Sequence, residues 1–249
     1  MKKARNLFSL IELMVVFSIL AILVSLLQPS LNKIIKSADT LNCANNLHSF
    51  FNMFALYIDD HEGKLTPLGR AGPGDYGQYM WFTRFENYNE GTKKIRLCPS
   101  TEVTNKFWGT ATTAWNWGGR PGSYAFNAHF HSGIYNSTTY QLTTNSTFER
   151  RYFKNINNVV YPSETGLLSD SSWVDAWPGN HQPAAASAAL GSQPGEPSSM
   201  GRLAVNRHEW AVNVLKADGS VRKHALEELW SAIYWNLEDK PQAAPTINP

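Results

Sequence analysis

The sequence predicts an α+β chain: a long N-terminal helix, membrane-spanning in its first half and amphipathic in its second, packed on an antiparallel β-sheet head. Three observations carry this. Residues 7–27 are an almost unbroken apolar run behind a basic start of Lys2, Lys3 and Arg5. Residues 31–58 bring apolar side chains back mostly every three or four positions, the period of a helix with one buried face. Residues 210–224 read as a strand, an Asp-Gly turn and a returning strand.

At about 1.5 Å per residue the apolar run rises about 31 Å as a helix, the thickness of a bilayer's hydrocarbon core. The basic residues before it predict a cytoplasmic N-terminus and a head on the far side. Glu12 breaks the run, and a carboxylate in a membrane span costs about 2.5–3.5 kcal/mol, so it needs a partner or a task. A cleavable secretory signal would have a shorter core and a small-residue cleavage site, where this chain has Gln28-Pro29-Ser30-Leu31. A plain anchor fits the length and charge but leaves Glu12 without a role.

Beyond Pro29 the amphipathic half carries Leu47, Phe50, Phe54 and Tyr57 on its apolar stripe and is expected to stop within residues 59–63. The acidic cluster there lacks the spacing of a calcium loop and reads as a solvated helix end. Residues 79–88 are aromatic-rich and fit a short helix or a strand, and residues 95–99 read as a short strand closed by proline. Residues 122–130 read as another strand, with His129 and His131 two apart at its surface and no third ligand in register. Residues 136–147 are Thr-rich and suit an exposed strand or loop, and residues 165–170 read as a buried strand ending at Asp170. Residues 173–199, rich in Pro, Ala, Gly and Ser, read as a mobile surface loop. In the hairpin, Trp210, Val212 and Val214 alternate with their neighbours, and Asp218-Gly219 supplies a two-residue turn with positive φ. Leu226, Leu229, Trp230 and Ile233 predict a short closing helix, and residues 241–249 a disordered tail.

The formal net charge is +2, and the first seven residues hold three of the 22 basic side chains against 20 acidic ones. The remainder is close to neutral, with no basic surplus for nucleic acid. Two cysteines, Cys43 and Cys98, fall on the far side of the membrane, in an oxidising compartment where a Cys43–Cys98 disulfide is expected; two separate buried thiols are the alternative. The bond would close a loop of about 55 residues and add about 4 kcal/mol by chain entropy. Two cysteines alone make no structural zinc site, and no metal or other cofactor is assigned. His208 and Asp218 are ten residues apart, about 30 Å along a strand, too far to share an ion. No nucleophile-elbow, zincin or phosphate-loop spacing occurs, so no catalytic residue is assigned and the chain is not read as an enzyme.

Residues 8–13, Phe-Ser-Leu-Ile-Glu-Leu behind a basic head, resemble the processing motif of bacterial type IV pilins and type II secretion pseudopilins. The resemblance implies that a prepilin peptidase cuts between Leu7 and Phe8 and methylates the new amine. The Phe8 amine would then meet Glu12 of a neighbouring subunit as helices bundle into a filament. Pro29 also matches, whereas Leu7 stands where the family usually has Gly. One subgroup of pseudopilins is similar over most of the chain. It has a Cys-Asn-Asn-Leu-like segment (here Cys-Ala-Asn-Asn-Leu from Cys43), a Cys-Pro pair (Cys98-Pro99), and a Ser-Tyr with Asn soon after (Ser123, Tyr124, Asn127). It also has a Pro-Ser-Glu before a strand ending in Asp (Asp170), and a His nine residues ahead of Asp-Gly (His208, Asp218, Gly219).

The resemblance implies a pilin-like fold and a structural subunit of a type II secretion or type IV pilus-like assembly. It sits in the bacterial inner membrane as a single pass, with other pilin or pseudopilin subunits and the peptidase as partners. The organisation is then a leader at 1–7, a transmembrane and filament-core helix at 8–29, its amphipathic half at 30–60, and a head at 61–240 before the tail. The alternative is a membrane-tethered surface polysaccharide-binding protein, because all nine tryptophans fall between Trp81 and Trp235 and exposed aromatic rings stack on sugars.

Overall fold

The computed structural model describes residues 9–64, 80–89, 91–131, 134–135, 142–143, 150–192 and 198–249. The chain forms an apolar N-terminal helix and a mostly antiparallel sheet domain. Two compact units divide between Ala38 and Asp39.

Helix α1 spans Leu10–Asp60, with Pro29 inside it. In the first unit its side chains are exposed on every face up to residue 38. In the second, Cys43, Leu47, Phe50, Phe54 and Tyr57 are buried, at intervals of four, three, four and three that hold one face of a 3.6-residue turn. The helix ends at Asp60, and left-handed Glu62 (φ +55°) turns the chain so that Gly63 N–H reaches back to the Ile58 carbonyl at 2.7 Å.

The head is built on a five-stranded sheet of order β7-β3-β6-β8-β9, comprising β3 (Tyr124–Asn127), β6 (Gly166–Asp170), β7 (Asp175–Ala176), β8 (Ala211–Lys216) and β9 (Val221–Ala225). Only the β3–β7 pair is parallel. Central strands are covered on both sides, and the two-residue period sorts their side chains between two cores. Tyr124, Phe126, Leu168 and Leu215 join the α1 stripe and the aromatic helix α2 (Trp81–Glu86). Ala125, Val212 and Val214 face a second core with Met200, Leu203, Leu229, Trp230 and Trp235. All six residues of β8 are buried, because both faces of the strand are covered. A separate hairpin, β1 (Trp115–Trp117) and β2 (Arg120–Gly122), turns on Gly118 and Gly119, both at positive φ.

Several expectations are corrected. The Asp-Gly turn is a three-residue loop: Lys216 N–H bonds Ser220 O at 2.8 Å, Gly219 N–H bonds Lys216 O at 3.0 Å, and positive φ (+90°) falls on Gly219 alone. Asp218 needs no left-handed backbone, because its carboxylate instead accepts from the Ser220 N–H and hydroxyl. Residues 95–99 form no strand; α3 (Thr92–Ile95) is a single helical turn, and Cys98 follows it in a turn next to Pro99. His129 and His131 are buried, with His129 in a 3-10 turn, since residues 128–131 leave the strand and fold into the core.

Of the expected 173–199 loop, residues 193–197 lie outside the described residues; 173–180 are nearly all buried, and 181–192 alternate exposed residues with buried anchors. Their small side chains allow close approach: Ala185, Ala188 and Ser192 are buried, and a Cβ on Gly201 would lie 2.2 Å from Ser192 Oγ. The C-terminal segment is likewise tied down, with Gln242 N–H bonded to Trp230 O, Ala188 N–H to Asn248 O, and Ile247 against the second core. Of the Thr-rich 136–147 stretch, only Leu142–Thr143 is among the described residues, paired with Ile134–Tyr135.

Candidate functional site

Leu7 and Phe8 lie outside the described residues. The description begins at Ser9, which caps α1. Ser9 Oγ accepts from Glu12 N–H at 3.2 Å, while Glu12 Oε2 accepts from Ser9 N–H at 2.8 Å and from its hydroxyl at 2.9 Å. This Ser-x-x-Glu arrangement is a capping box, satisfying the free N–H groups at the start of the helix. It gives Glu12 a local task, and no bond to its other oxygen occurs among the described residues. The helix above it is long and apolar enough to cross a membrane.

The second group of sites is inside the head. Cys43 projects from the first buried turn of α1, and Cys98 enters from the turn before Pro99. Asp170 closes β6, opposite Tyr124 of β3. His208 precedes β8, and left-handed Glu209 and Trp210 (φ +58° and +60°) turn the chain into that strand. Such a φ is unfavourable for a bulky residue such as Trp, and Trp210 N–H is held by Asn206 Oδ1 at 2.7 Å. The ligand atoms of Cys43, Cys98, Asp170 and His208 all lie within 4.8 Å of one another, and all four residues are buried.

Cys43 Sγ is 3.5 and 3.6 Å from the two Asp170 oxygens, Cys98 Sγ is 3.5 Å from His208 Nε2, and His208 Nε2 is 3.2 Å from Asp170 Oδ2. Both cysteines are free thiols, so the expected disulfide is not formed in this structure, although the sulfurs are brought together. Around the cluster, Arg207 lies 3.4 Å from Asp170 and donates its remaining N–H groups to the carbonyls of Ala111, Ser123, Thr110 and Ser171. Asn213 N–H donates to Asp170 Oδ2 at 2.8 Å, Tyr124 O–H to Cys43 Sγ at 3.5 Å, and Thr40 Oγ1 lies 3.2 Å from His208 Nδ1.

These neighbours set the charge. Burial, with the Cys98 and Asp170 charges beside it, pushes the Cys43 thiol well up. The hydrogen bond from Cys43, against burial and with help from His208, brings Cys98 down to about 6. Burial opposes a charged His208, but its bonds to Asp170 and Cys98 outweigh that and raise it to about 9. Burial also works against an ionised Asp170, and the bond from His208 with the Arg207 charge overcomes it and holds the carboxyl low.

His208 and Asp218, adjacent in the sequence motif, are not partners. Asp218 is exposed on the hairpin, and the carboxylate that meets His208 is Asp170. Gly219 does serve the turn. The acidic residues at the end of α1 do not converge: Asp60 accepts from Tyr88 O–H and Glu62 pairs with Lys64. Most tryptophans are structural. Trp81, Trp115, Trp230 and Trp235 are fully buried, and among the large exposed apolar side chains only Trp210 is a tryptophan.

Sequence reasoning noted each of the four clustered residues but joined only the two cysteines. What the four have in common in the sequence is that each lies in a segment on which the expected resemblance to pseudopilins rests. Comparison with protein-family models, curated proteins and solved structures finds no match.

Proposed function

We propose that this chain is a structural subunit, not an enzyme, of a type II secretion or type IV pilus-like filament. A prepilin peptidase cuts it between Leu7 and Phe8. Before assembly α1 holds it in the inner membrane, N-terminus cytoplasmic and head outside, and afterwards the same helix packs against those of other subunits.

One observation carries this reading: a helix whose apolar side chains are exposed all round, interrupted near its start by one carboxylate. An apolar surface of that extent needs lipid or other helices around it. Ser9 occupies Glu12 Oε2, and a carboxylate has about four acceptor positions, which leaves room for a neighbour's Phe8 amine.

The test begins with mass spectrometry of the protein from its native membranes. It should start at N-methylated Phe8; an intact Met1 would overturn the processing. Two variants then separate the tasks of Glu12. Glu12→Gln keeps a capping-box residue and removes the charge, whereas Glu12→Ala removes both. Both should insert normally and fail to assemble. If Glu12→Gln builds filaments at the normal yield, Glu12 is a helix cap only and the ion-pair role is lost.

A further inference from the structure

We propose that Cys43, Cys98, Asp170 and His208 bind one zinc ion as a closed structural site that ties helix α1 to the sheet of the head. The inference is independent of the filament reading and would hold for any tethered protein with this head.

Geometry is the first argument. Zinc bonds of about 2.3 Å to sulfur and about 2.0–2.1 Å to nitrogen or oxygen give a tetrahedron whose edges are about 3.3 Å between N and O and about 3.6 Å between S and either. Taking Asp170 Oδ2 as the ligand oxygen, the corresponding separations are 3.2 Å to His208 Nε2 and 3.6 Å to Cys43 Sγ, with 3.5 Å between Cys98 Sγ and His208 Nε2. A disulfide would use the two sulfurs alone and leave the convergence of Nε2 and the carboxylate without a purpose.

The surrounding shell is the second. A ligating imidazole is normally oriented through its other nitrogen, and Thr40 Oγ1 stands 3.2 Å from His208 Nδ1. With that N–H donated to the hydroxyl, Nε2 turns its lone pair to the site. Asp170 is fixed by Asn213 N–H and Arg207, and Cys43 Sγ by Tyr124 O–H.

Charge and donor type complete the case. Two thiolates and a carboxylate against Arg207 leave an excess of two negative charges, which one divalent cation cancels. Zinc takes both cysteines as thiolates and His208 as the neutral imidazole, so any protons these groups carry pass to solvent on binding. Two sulfurs, an imidazole and a carboxylate are a donor set that favours zinc. All four positions are filled by buried protein ligands, so none is open to a substrate.

The full chain, purified in detergent without chelators, should carry about one zinc by elemental analysis, and both thiols should react with a maleimide after denaturation without reductant. Cys98→Ser and His208→Ala should lose the zinc at least tenfold, and Asp218→Ala, on the exposed hairpin away from the site, should keep it. To keep the test independent of how ligand variants fold, the wild-type chain is also unfolded, stripped and refolded with Co2+, which should give the visible absorption of tetrahedral, thiolate-bound cobalt. A folded wild-type chain that takes up neither Zn2+ nor Co2+, a Cys43–Cys98 disulfide in the purified protein, or unchanged zinc in folded Cys98→Ser would each overturn the site.

Discussion

Gly219 offers a measurable test of the hairpin that follows His208. Its φ is +90°, and a Cβ added there would lie 2.5, 2.7 and 2.8 Å from Cε1, Cδ1 and Cζ of Phe51 on α1. Gly119 shares the backbone problem without the contact: its φ is +79° and nothing lies within 4 Å of an added Cβ. Left-handed backbone costs an L-residue about 1–2 kcal/mol. Part of that is offset by the smaller entropy of the unfolded chain, about 0.4–1 kcal/mol. Gly119→Ala should therefore destabilise by about 1 kcal/mol. Gly219→Ala adds a clash that the Phe51 ring must relieve by leaving the α1 aromatic packing, about 1–3 kcal/mol more. Gly219→Val, bulkier and β-branched, should disturb folding further. Denaturant unfolding of the full chain in detergent, followed by tryptophan fluorescence, reports the head because all nine tryptophans lie there. Adding Phe51→Ala should make Gly219→Ala cheaper than it is alone, since the two residues interact. If Gly219→Ala and Gly119→Ala agree within about 0.5 kcal/mol, the contact with Phe51 contributes nothing and the reasoning fails.

His129 should make the head acid-sensitive. It is buried, with no partner for Nδ1 among the described residues and Nε2 3.1 Å from Pro178 O, and burial pushes it down to about 4, with Arg151, His181 and Asp239 the charged groups nearby. Its folded value lies below the unfolded one. Its contribution is therefore complete above pH about 6.5 and is lost as pH falls towards 4, by up to about 3 kcal/mol; in His129→Gln, stability measured across that window should change less. Under the filament reading, soluble glycans should leave the tryptophan fluorescence unchanged, and a saturable shift would favour the polysaccharide-binding alternative.

Fold class was legible where the information is local. The apolar run of α1, the 43-47-50-54-57 stripe, the strand ending at Asp170 and the hairpin after Trp210 each depend on neighbours within a few turns or residues. Expectations failed where small residues or distant partners decide. A Pro-Ala-Gly-Ser stretch reads as a loop by composition, yet Ala185, Ala188 and Ser192 use their small size to pack inside. The final residues look like a free tail until Trp230 O and the Ala188 N–H are found to bond them. The buried histidines show the same effect, because a strand read as continuing to residue 130 breaks at Ala128 and turns inward.

The buried cluster was illegible for a related reason. Metal sites are recognised in sequence when two ligands share one turn or one helix face, and here every ligand comes from a different element. The His-to-Asp-Gly motif even pointed away from it, pairing His208 in sequence with a residue that serves only the hairpin. Glu12 shows the opposite hazard, since a local motif is legible but carries two meanings. Ser9 to Glu12 is a capping box and also lies in the segment that resembles a prepilin processing motif. The two roles need not compete. Cleavage before Phe8 would place the new amine one residue ahead of the cap, where the helix already presents its positive end. A carboxylate fixed there by Ser9 is held in position before a neighbouring subunit arrives, so less side-chain freedom remains to be lost when the helices pair.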